Sequence, residues 1–371
     1  MSAGPAPVVV AARRTPIGNR GGALRGCAVD ELAAPVLRAV LDDAGLPTAD
    51  DVLLGNVFGP GGNTARVAAL RAGLGTGVPG LTLDRQCASG LAAIVLAADL
   101  VRAGAGEAYL AGGVESASTA PLRAWPTDPP RPYTRAPFAP ADVGDPEMGA
   151  AADLVAAEAG ISRERQDRFA LRSHARAVDA QRAGRFAAEL VAIGDVTADE
   201  RPRAGFTAAR LARFRPAFTP HGTATAANSC GVSDGAAAVL VVSERLHRRL
   251  GLPGLRLVAS ATSAVDPNRL GLGAVPALRR VLGPHPPDVV EFTEAFAGQA
   301  LACLDAVGLD EGTAGPDGGA IALGHPWGAS GAVLVVRLFA RLVRGGTGQR
   351  TGVAALSAGG GVGVATAWEV A

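Results

Sequence analysis

Apolar and polar positions follow two different periods along most of the chain. Runs of consecutive apolar residues, such as "PVVVAARRTP" and "DDVLLGNVF", predict short buried strands. Between them, "VDELAAPVLRAVLDDAG" has the spacing of an amphipathic helix and ends in glycine, and "NTARVAALRAGL" has Asn63 or Thr64 available as a cap. Strands that alternate with helices predict an α/β fold with a mostly parallel sheet.

One predicted helix, in "DRQCASGLAAIVLAADLVRAG", is apolar on almost every side and begins just after Cys87. It is followed by a small-residue strand, "AYLAGGVES". A free cysteine is often only a small core residue. At a helix start, however, the positive end of the macrodipole favours the thiolate and makes the sulfur a nucleophile. This segment alone leaves both interpretations open.

The last third of the chain repeats the architecture of the first. "GASGAVLVVRLFARLVRGG" and then "GVAALSAGGGVG" follow the same order as the Cys87 helix and its strand. In each, a small-residue turn opens an apolar helix and a small-residue strand ends in glycines. Two similar halves are therefore expected, with the equivalent turns meeting in a seam, which is a common place for a pocket. The alternative is that two Ala- and Gly-rich segments are alike by composition alone.

The stretch 119–230 differs from both halves. Its first part, "PLRAWPTDPPRPYTRAPFAPADVGDP", is too rich in proline for a regular element and is expected to cover a pocket. Two helical runs that carry much of the charge follow, and they predict a solvent-facing insertion. The predicted domains are an N-terminal half over 1–118, completed by about 231–250, the insertion, and a C-terminal half over 251–371.

Composition and charge exclude several functions. The net charge of the 371 residues is +1, so no global basic field recruits nucleic acid or an anionic membrane. All 35 basic residues are arginine, which excludes a Schiff-base lysine and a P-loop lysine. No run reaches the roughly 18–20 apolar residues of a membrane span, and the N-terminus lacks the features of a signal peptide.

The four cysteines, Cys27, Cys87, Cys230 and Cys303, lie far apart and form no CxxC pair. A zinc site or a disulfide framework is therefore not expected, and no metal is predicted. This usage fits a reducing cytoplasm.

Among the five histidines, His325 has the most distinctive surroundings. In "GGAIALGHPWGASG" a short apolar strand is expected to run into His-Pro and then a glycine turn that starts a helix. Proline fixes the backbone there, and glycines allow close approach of a ligand. His174 and His247 are expected to be solvated, and His221 and His285 lie in predicted loops.

Six segments together resemble the thiolase family, the acyl-CoA C-acyltransferases, over nearly the whole chain. They are "DRQCASGLAAI", "AGGVESAS", "RFRPAFTPHGTATAANSCGVSDGAAAV", "TEAFAGQ", "GGAIALGHPWGASG" and "SAGGGVG". Each motif is moderately specific, and all six occur in the family's order.

The resemblance implies a five-layered α/β/α/β/α sandwich of two βαβαβαββ halves with an inserted loop domain. It implies an enzyme that forms an acyl-enzyme from an acyl-CoA and performs thiolysis of a 3-ketoacyl-CoA or Claisen condensation. Coenzyme A would be a substrate, with no tightly bound cofactor. A homodimer or tetramer is also implied, with the strand "LTLDRQC" near a subunit interface.

Carried over residue by residue, Cys87 would be the nucleophile, and His325 would activate its thiol and polarise the thioester carbonyl. The backbone N–H groups of Cys87 and Gly359, together with His325, would form the oxyanion holes. Arg215 would lie near the nucleotide of coenzyme A, and Cys230 would lie beside the pantetheine arm.

The chain departs from the family at three places. Ser357 stands where the family has its second catalytic cysteine, and Thr293 stands where it has the asparagine of its Asn-Glu-Ala-Phe motif. Glu147, next to Met148, stands where many members have a histidine near the pantetheine channel. A serine hydroxyl is a weaker acid than a thiol by roughly 4 units, which corresponds to about 5 kcal/mol in base availability.

The altered residues leave several reactions open. Ser357 and His325 could share the proton transfers of ordinary thiolysis or condensation. The acyl group could instead pass to water, an amine or an alcohol, or condense with a donor that loses CO₂. A non-catalytic thiolase-like subunit is a further alternative, which the retention of both Cys87 and His325 disfavours. A ketosynthase is disfavoured by "GHPWGASG".

Overall fold

The computed structural model describes residues 6–371. The strands are β1 Val8–Arg14, β2 Gly18–Asn19, β3 Asp51–Gly55, β4 Leu81–Leu83, β5 Ala108–Ser116, β6 Arg123–Trp125, β7 Arg131–Tyr133, β8 Ser233–Val242, β9 Leu255–Ala264, β10 Val289–Phe292, β11 Thr351–Ala358 and β12 Val362–Val370. The helices are α1 Val29–Ala44, α2 Thr64–Arg71, α3 Ser89–Arg102, α4 Met148–Glu158, α5 Arg163–Arg182, α6 Ala208–Leu211, α7 Glu244–Leu250, α8 Ala274–Val281, α9 Ala297–Ala306, α10 Ala320–Leu323 and α11 Trp327–Phe339. Short 3₁₀ turns cover Pro267–Leu272 and Gly359–Gly361, and α11 runs on into a π-helical turn, Ala340–Arg344.

The main strands follow the order β10-β11-β12-β9-β1-β8-β5-β3-β4. Only two residue pairs join β1 to β9, so the order divides into an N-terminal and a C-terminal set of strands. Pairing is parallel where β3 meets β4 and β5 and where β10 meets β11, but antiparallel elsewhere in this order. The prediction of a mostly parallel sheet is therefore wrong. The chain returns from the insertion as β8, antiparallel between β1 and β5, and β11 turns directly into β12.

The predicted five layers are present. Helices α3 and α11 lie between the two sets of strands, in a core to which both sets contribute. Helices α1 and α2 cover the outer face of the N-terminal set, and α8 and α9 cover the outer face of the C-terminal set.

The small residues at the starts of α3 and α11 let these two helices cross closely. A Cβ on Gly90 would lie 2.7 Å from the Gly328 carbonyl oxygen, and one on Gly331 would lie 2.5 Å from the Leu91 backbone nitrogen. Larger side chains would push the helices apart. This contact explains why the two similar turns carry small residues, and it brings both helix starts to the centre of the molecule.

Helix ends follow the sequence signals. Gly45 adopts a left-handed conformation after α1, and the Asn63 side chain accepts a hydrogen bond from the Arg66 N–H at the start of α2. Two strand predictions are wrong, however. The segment before His325 is the short helix α10, and "LTLDRQC" contributes only the three residues of β4.

The insertion is less exposed than expected. Helices α4 and α5 contribute Val155 and Phe169 to the core beneath α8 and α9. His174 is buried rather than solvated, and its ring lies edge-on to Phe206. His247 is half-buried, with Nε2 2.8 Å from the Leu252 carbonyl oxygen. Most of the charge of α5 lies on its outer face, but Asp167 is buried on the inner face and accepts from Asn228 at 3.0 Å.

The proline-rich segment contains a regular element after all. Strands β6 and β7 form an antiparallel pair, with Trp125 stacked on Tyr133.

Candidate active site

Cys87 lies in a tight turn between β4 and α3. Gln86 has a positive φ of 52°, which is uncommon for a residue with a side chain. The Ser89 hydroxyl closes the turn, because it accepts from the Arg85 N–H at 2.8 Å and donates to the Gln86 carbonyl at 2.6 Å. The sulfur is thereby held at the helix start, as the sequence predicted.

The Cys87 thiol is nevertheless not a standing thiolate. Burial raises its pKa to about 12, and the neighbouring thiol of Cys230 adds to the rise. The backbone N–H groups of Cys87 itself and of Gly359 act in the opposite direction. The expectation that the helix start favours the thiolate is therefore wrong for the resting protein, since desolvation outweighs the dipole. The thiol needs a base when it reacts.

His325, the predicted partner of Cys87, is buried. It follows α10, and its backbone N–H lies 3.2 Å from the Gly231 carbonyl oxygen and 3.1 Å from Ser233 Oγ. Burial lowers the pKa of the ring to about 4, so the imidazole is neutral at physiological pH.

A serine of α11 orients the His325 ring. Nδ1 lies 2.7 Å from Ser330 Oγ, and that hydroxyl lies 3.0 Å from the Pro326 carbonyl oxygen, which can only accept. With the hydroxyl proton directed at Pro326, Ser330 accepts from Nδ1–H. The Nε2 lone pair is then free to take a proton.

The segment 229–232 makes backbone contacts with two loops, one that contains Ala295 and one that contains His325. The Cys230 N–H donates to the Ala295 carbonyl at 2.9 Å, and Val232 forms a parallel bridge with His325. The "TEAF" and "GHP" motifs, distant in sequence, are therefore held against one short strand-like segment. Cys230 is brought next to Cys87, as the thiol–thiol effect on the pKa of Cys87 indicates.

The glycine loop after β11 lies under the proline-rich segment. A Cβ on Gly359 would lie 2.8 Å from Phe138 Cε1, so only glycine fits beneath that ring. Phe138 is held there by its N–H, which donates to Asp145 at 3.1 Å, and by Arg135, whose guanidinium lies 4.5 Å from the ring centroid. This packing fixes the Gly359 N–H beside the Cys87 sulfur.

The Ser357 hydroxyl is engaged on both sides. It donates to the Gly271 carbonyl at 2.7 Å and accepts from the Ala274 N–H at 3.0 Å. Cys303 of α9 lies behind it, with Sγ 4.0 Å from Ser357 Oγ. The side chain therefore ties β11 to the start of α8, and its proton is engaged by the Gly271 carbonyl.

Thr293 follows β10 and is buried, and it is one of the residues that line a small cavity next to Pro326 and Ser330. It lies near the His325 turn, but it shares this cavity with Glu291, a residue without a role in the sequence analysis.

The predicted coenzyme A residues lie on the insertion. Arg215 is exposed, and no carboxylate within residues 6–371 forms an ion pair with it. Glu147 precedes α4 and pairs with Arg135 at 3.2 Å, and Met148 is the half-buried first residue of that helix. Within residues 6–371, no hydrogen bond or ion pair joins these three residues to Cys87.

Sequence reasoning missed Glu115, the buried carboxylate near the end of β5. It accepts hydrogen bonds from the N–H groups of Phe58 and Gly328, both at 3.0 Å, and so ties a loop after β3 to the start of α11. Burial raises its pKa to about 7. An acidic residue at the end of an otherwise apolar strand was the available signal.

The fold and site together define a two-halved α/β enzyme in which two N–H groups converge on a buried thiol, and a neutral histidine is held against the segment that contains Cys230. Residues 7–245 match the N-terminal domain of thiolases and residues 253–370 match the C-terminal domain. The chain belongs to the thiolase family and is a thiolase-type acyltransferase.

Full-length relatives agree. An acetyl-CoA acetyltransferase of Cupriavidus necator is 40% identical over 396 residues, covering 98% of each chain. One of Pseudomonas aeruginosa is 41% identical over 385 residues, covering 96% of this chain and 98% of the relative. The crystal structure of the Bacillus anthracis acetyl-CoA acetyltransferase is 36% identical, covers 100% of both chains and superposes with a TM-score of 0.91. Within residues 6–371, no helix is long and apolar enough to cross a membrane.

Proposed function

We propose that Cys87 takes the acyl group of an acyl-CoA as a thioester. Neutral His325 accepts the thiol proton as the sulfur attacks the thioester carbonyl carbon. The carbonyl oxygen becomes an oxyanion that accepts from the N–H groups of Cys87 and Gly359. The carbon–sulfur bond to coenzyme A then breaks, and the departing thiolate recovers the proton from His325.

The convergence of the Cys87 and Gly359 N–H groups on one buried sulfur carries this proposal. Intact-mass analysis after incubation with acetyl-CoA tests it. We expect an acyl adduct on the wild-type protein and none on Cys87→Ala. An adduct that survives the substitution would place the nucleophile elsewhere.

We infer that the second half-reaction is thiolysis of a 3-ketoacyl-CoA or its reverse, Claisen condensation, in line with the names of the relatives. Because the Ser357 hydroxyl is engaged by Gly271 and Ala274, His325 would carry most of the proton transfer. Product analysis with acetoacetyl-CoA and coenzyme A tests this: acetyl-CoA should form in a Cys87-dependent way.

The same engaged hydroxyl favours a second candidate, in which the acceptor needs no carbanion base. Water, an amine, an alcohol or a donor that loses CO₂ would then receive the acyl group. Discharge of the isolated acyl-enzyme by such acceptors, with no carbon–carbon bond formed when acetyl-CoA is the acceptor, would identify this case.

We propose that coenzyme A lies along the insertion 119–230 with its thiol toward Cys87. Unpaired Arg215 would meet the nucleotide phosphates, and Cys230, with Glu147 and Met148, would flank the pantetheine arm. Phe138, packed on Gly359, supports the idea that the proline-rich segment covers the pocket.

We also propose that the enzyme is a cytoplasmic homodimer or tetramer. All four cysteines are free, which suits a reducing compartment. Strand β4 lies at the end of the strand order with Leu81 exposed, so a second copy could pair along it. Light scattering that finds only monomer at micromolar concentration would contradict the assembly.

A further inference from the structure

Glu115, near the end of β5, is a fully buried carboxylate that the proposed reaction does not use. Its Oε1 accepts from the Phe58 N–H at 3.0 Å and from the Asn56 side-chain amide at 3.2 Å. Its Oε2 accepts from the Gly328 N–H at 3.0 Å and from the Val57 N–H at 3.2 Å. The ionised form suits this set of donors because it only accepts, whereas a protonated carboxyl group would place an O–H where a donor now points.

One side of this hydrogen-bonded cluster leads to Cys87. The Asn56 backbone N–H donates to the Leu83 carbonyl at 3.2 Å, at the end of β4 and just before the turn that contains the thiol. The charge of Glu115 is also one of the influences that raise the pKa of Cys87. The carboxylate is therefore tied to the turn and lies close enough to the sulfur for its charge to act there.

The other side of the cluster leads to His325. Gly328 lies in the first turn of α11, and its neighbour Trp327 packs on Phe58 with ring centroids 3.9 Å apart. The same helix carries Ser330, whose hydroxyl lies 2.7 Å from Nδ1 of the His325 ring. A shift of the start of α11 against the loop after β3 would therefore move the imidazole relative to the thiol.

We propose that Glu115, in its ionised form, is a positioning residue that holds the Cys87 turn and the His325 turn in register for acylation. It acts through the donors that it binds rather than on the substrate. A negative charge at the start of α11 is also favoured by the helix dipole. The role in acylation rests on the proposed function, whereas the tie between the two segments does not.

Single-turnover acylation by acetyl-CoA tests this role in Glu115→Gln. The amide keeps the size of the side chain but turns an NH₂ group toward two of the four donors. We expect acylation of Cys87 to slow about tenfold with the affinity for coenzyme A unchanged, because misplaced reacting groups lose rate rather than binding. A wild-type rate in this variant would overturn the proposal.

The pH profile of acylation separates positioning from a general loss of structure. Burial raises the pKa of Cys87 to about 12 and lowers that of His325 to about 4, so neither titrates between pH 6 and pH 8. Burial raises the pKa of Glu115 to about 7, and the other charged groups around it are Asp84 and, over the Phe58 ring, Arg123. Wild-type acylation should therefore fall about fivefold from pH 8 to pH 6 as the carboxylate takes up a proton. Glu115→Gln should be slow at both pH values, and a profile parallel to the wild type would contradict the role.

Glu294→Gln is the matched control. Glu294 is another buried glutamate with a pKa raised by burial to about 7, but it accepts from the Ser173 hydroxyl and the Ile321 N–H and so ties α5 to α10. Its replacement should leave the fall in acylation between pH 8 and pH 6 in place. If that fall is instead lost in Glu294→Gln and kept in Glu115→Gln, Glu294 is the titrating group and the proposal fails.

Asn56→Ala is a second variant, which keeps the proposal testable if Glu115→Gln does not fold. Loss of one donor should raise the pKa of Glu115 and move the fall in acylation to higher pH, so an unmoved profile would count against the role. Amide hydrogen exchange gives a readout without activity, since Glu115→Gln should speed exchange at Phe58 and Gly328. If the wild-type protein is not acylated at all, the proposed function fails, while the exchange rates still decide whether Glu115 ties the two segments.

Discussion

Cys87 lies in the turn before α3 and Ser357 lies near the end of β11, and the surroundings of their sulfur and oxygen atoms differ in kind. The Cys87 sulfur meets the backbone N–H groups of Cys87 and Gly359 and lies beside the Cys230 thiol. The Ser357 oxygen is occupied by a backbone acceptor and a backbone donor. The first arrangement leaves a nucleophile free to change its protonation state. The second holds the Ser357 hydroxyl in place. This contrast suggests that the site provides a reactive group for the acylation of Cys87 but not a second free proton carrier for the step that follows.

Replacing the sulfur by oxygen at Cys87 should have the largest effect. Cys87→Ser keeps the shape of the turn but loses about 5 kcal/mol in acidity, so acylation should fall by about three orders of magnitude or more. Single-turnover release of coenzyme A from acetyl-CoA measures it. Cys230→Ser, at the neighbouring thiol, is the matched control and should keep the Cys87 adduct. The reverse pattern would assign the nucleophile to Cys230.

The opposite exchange at Ser357 should have the next largest effect. A thiol is a weaker partner than a hydroxyl for Gly271 and Ala274, so Ser357→Cys should free a proton carrier and raise kcat/KM for acetoacetyl-CoA thiolysis. We expect the gain to stay below the ~5 kcal/mol deficit, because groups that act as a unit are not additive. The double change with Thr293→Asn should gain more.

Ser357→Ala completes this series. It removes the hydroxyl and should leave thiolysis close to that of the wild type if His325 already carries the protons. A large loss of thiolysis activity would show that the Ser357 hydroxyl takes part in the proton transfers, although Gly271 and Ala274 engage it. No gain in Ser357→Cys or the double variant would mean that acceptor identity, not base strength, separates this enzyme from other thiolases.

The sequence predicted only part of this contrast between Cys87 and Ser357. Cys87, His325 and Ser357 could be singled out from the sequence, because each lies in a motif with local spacing, and their roles remain predictions. The hydrogen bonds of Ser357 to Gly271 and Ala274 span more than 80 residues and leave no local pattern. The pKa of Cys87 was likewise missed, since desolvation depends on what packs over the sulfur.

The fold likewise has features that local sequence signals predict and features that they do not. Helix caps and buried strands followed local signals, as at Gly45 and Asn63. The antiparallel return of β8 and the inward face of α5 did not, because each depends on contacts made across the insertion. His174 illustrates the limit: a charged helical context predicted exposure, and the tertiary packing buried it.

At the coenzyme A end of the site, replacing Arg215 should have a moderate effect. If its free guanidinium meets a phosphate, Arg215→Ala should raise the Kd for coenzyme A about tenfold, or about 1.4 kcal/mol. Calorimetric titration of both coenzyme A and a truncated pantetheine thioester measures it. The affinity for the truncated thioester should stay the same. Arg245→Ala, at an exposed arginine on α7, is the control, and equal weakening of both ligands would contradict the orientation.

The smallest expected effect concerns acid stability and separates the titratable Cys87–His325 region from the Ser357 turn, which contains no titrating group of its own. Burial lowers the pKa of His325 to about 4, against an ordinary value of 6.5, and burial likewise lowers that of His174 to about 4. Below pH 6.5 these two histidines bind protons in the unfolded chain but not in the folded protein, so they make unfolding more favourable as the pH falls from 6.5 toward 4. Burial raises the pKa values of Glu115, Glu291 and Glu294 to about 7, 8 and 7, and these three groups act in the opposite direction, so the test compares slopes of Tm against pH between variants. Between pH 7 and pH 5, His325→Gln and His174→Gln should each remove a destabilising contribution of similar size, while Ser357→Ala should leave the slope unchanged. Differential scanning calorimetry at fixed ionic strength measures the slopes, and slopes that neither histidine substitution changes would contradict the neutral, buried state assigned to His325 and His174.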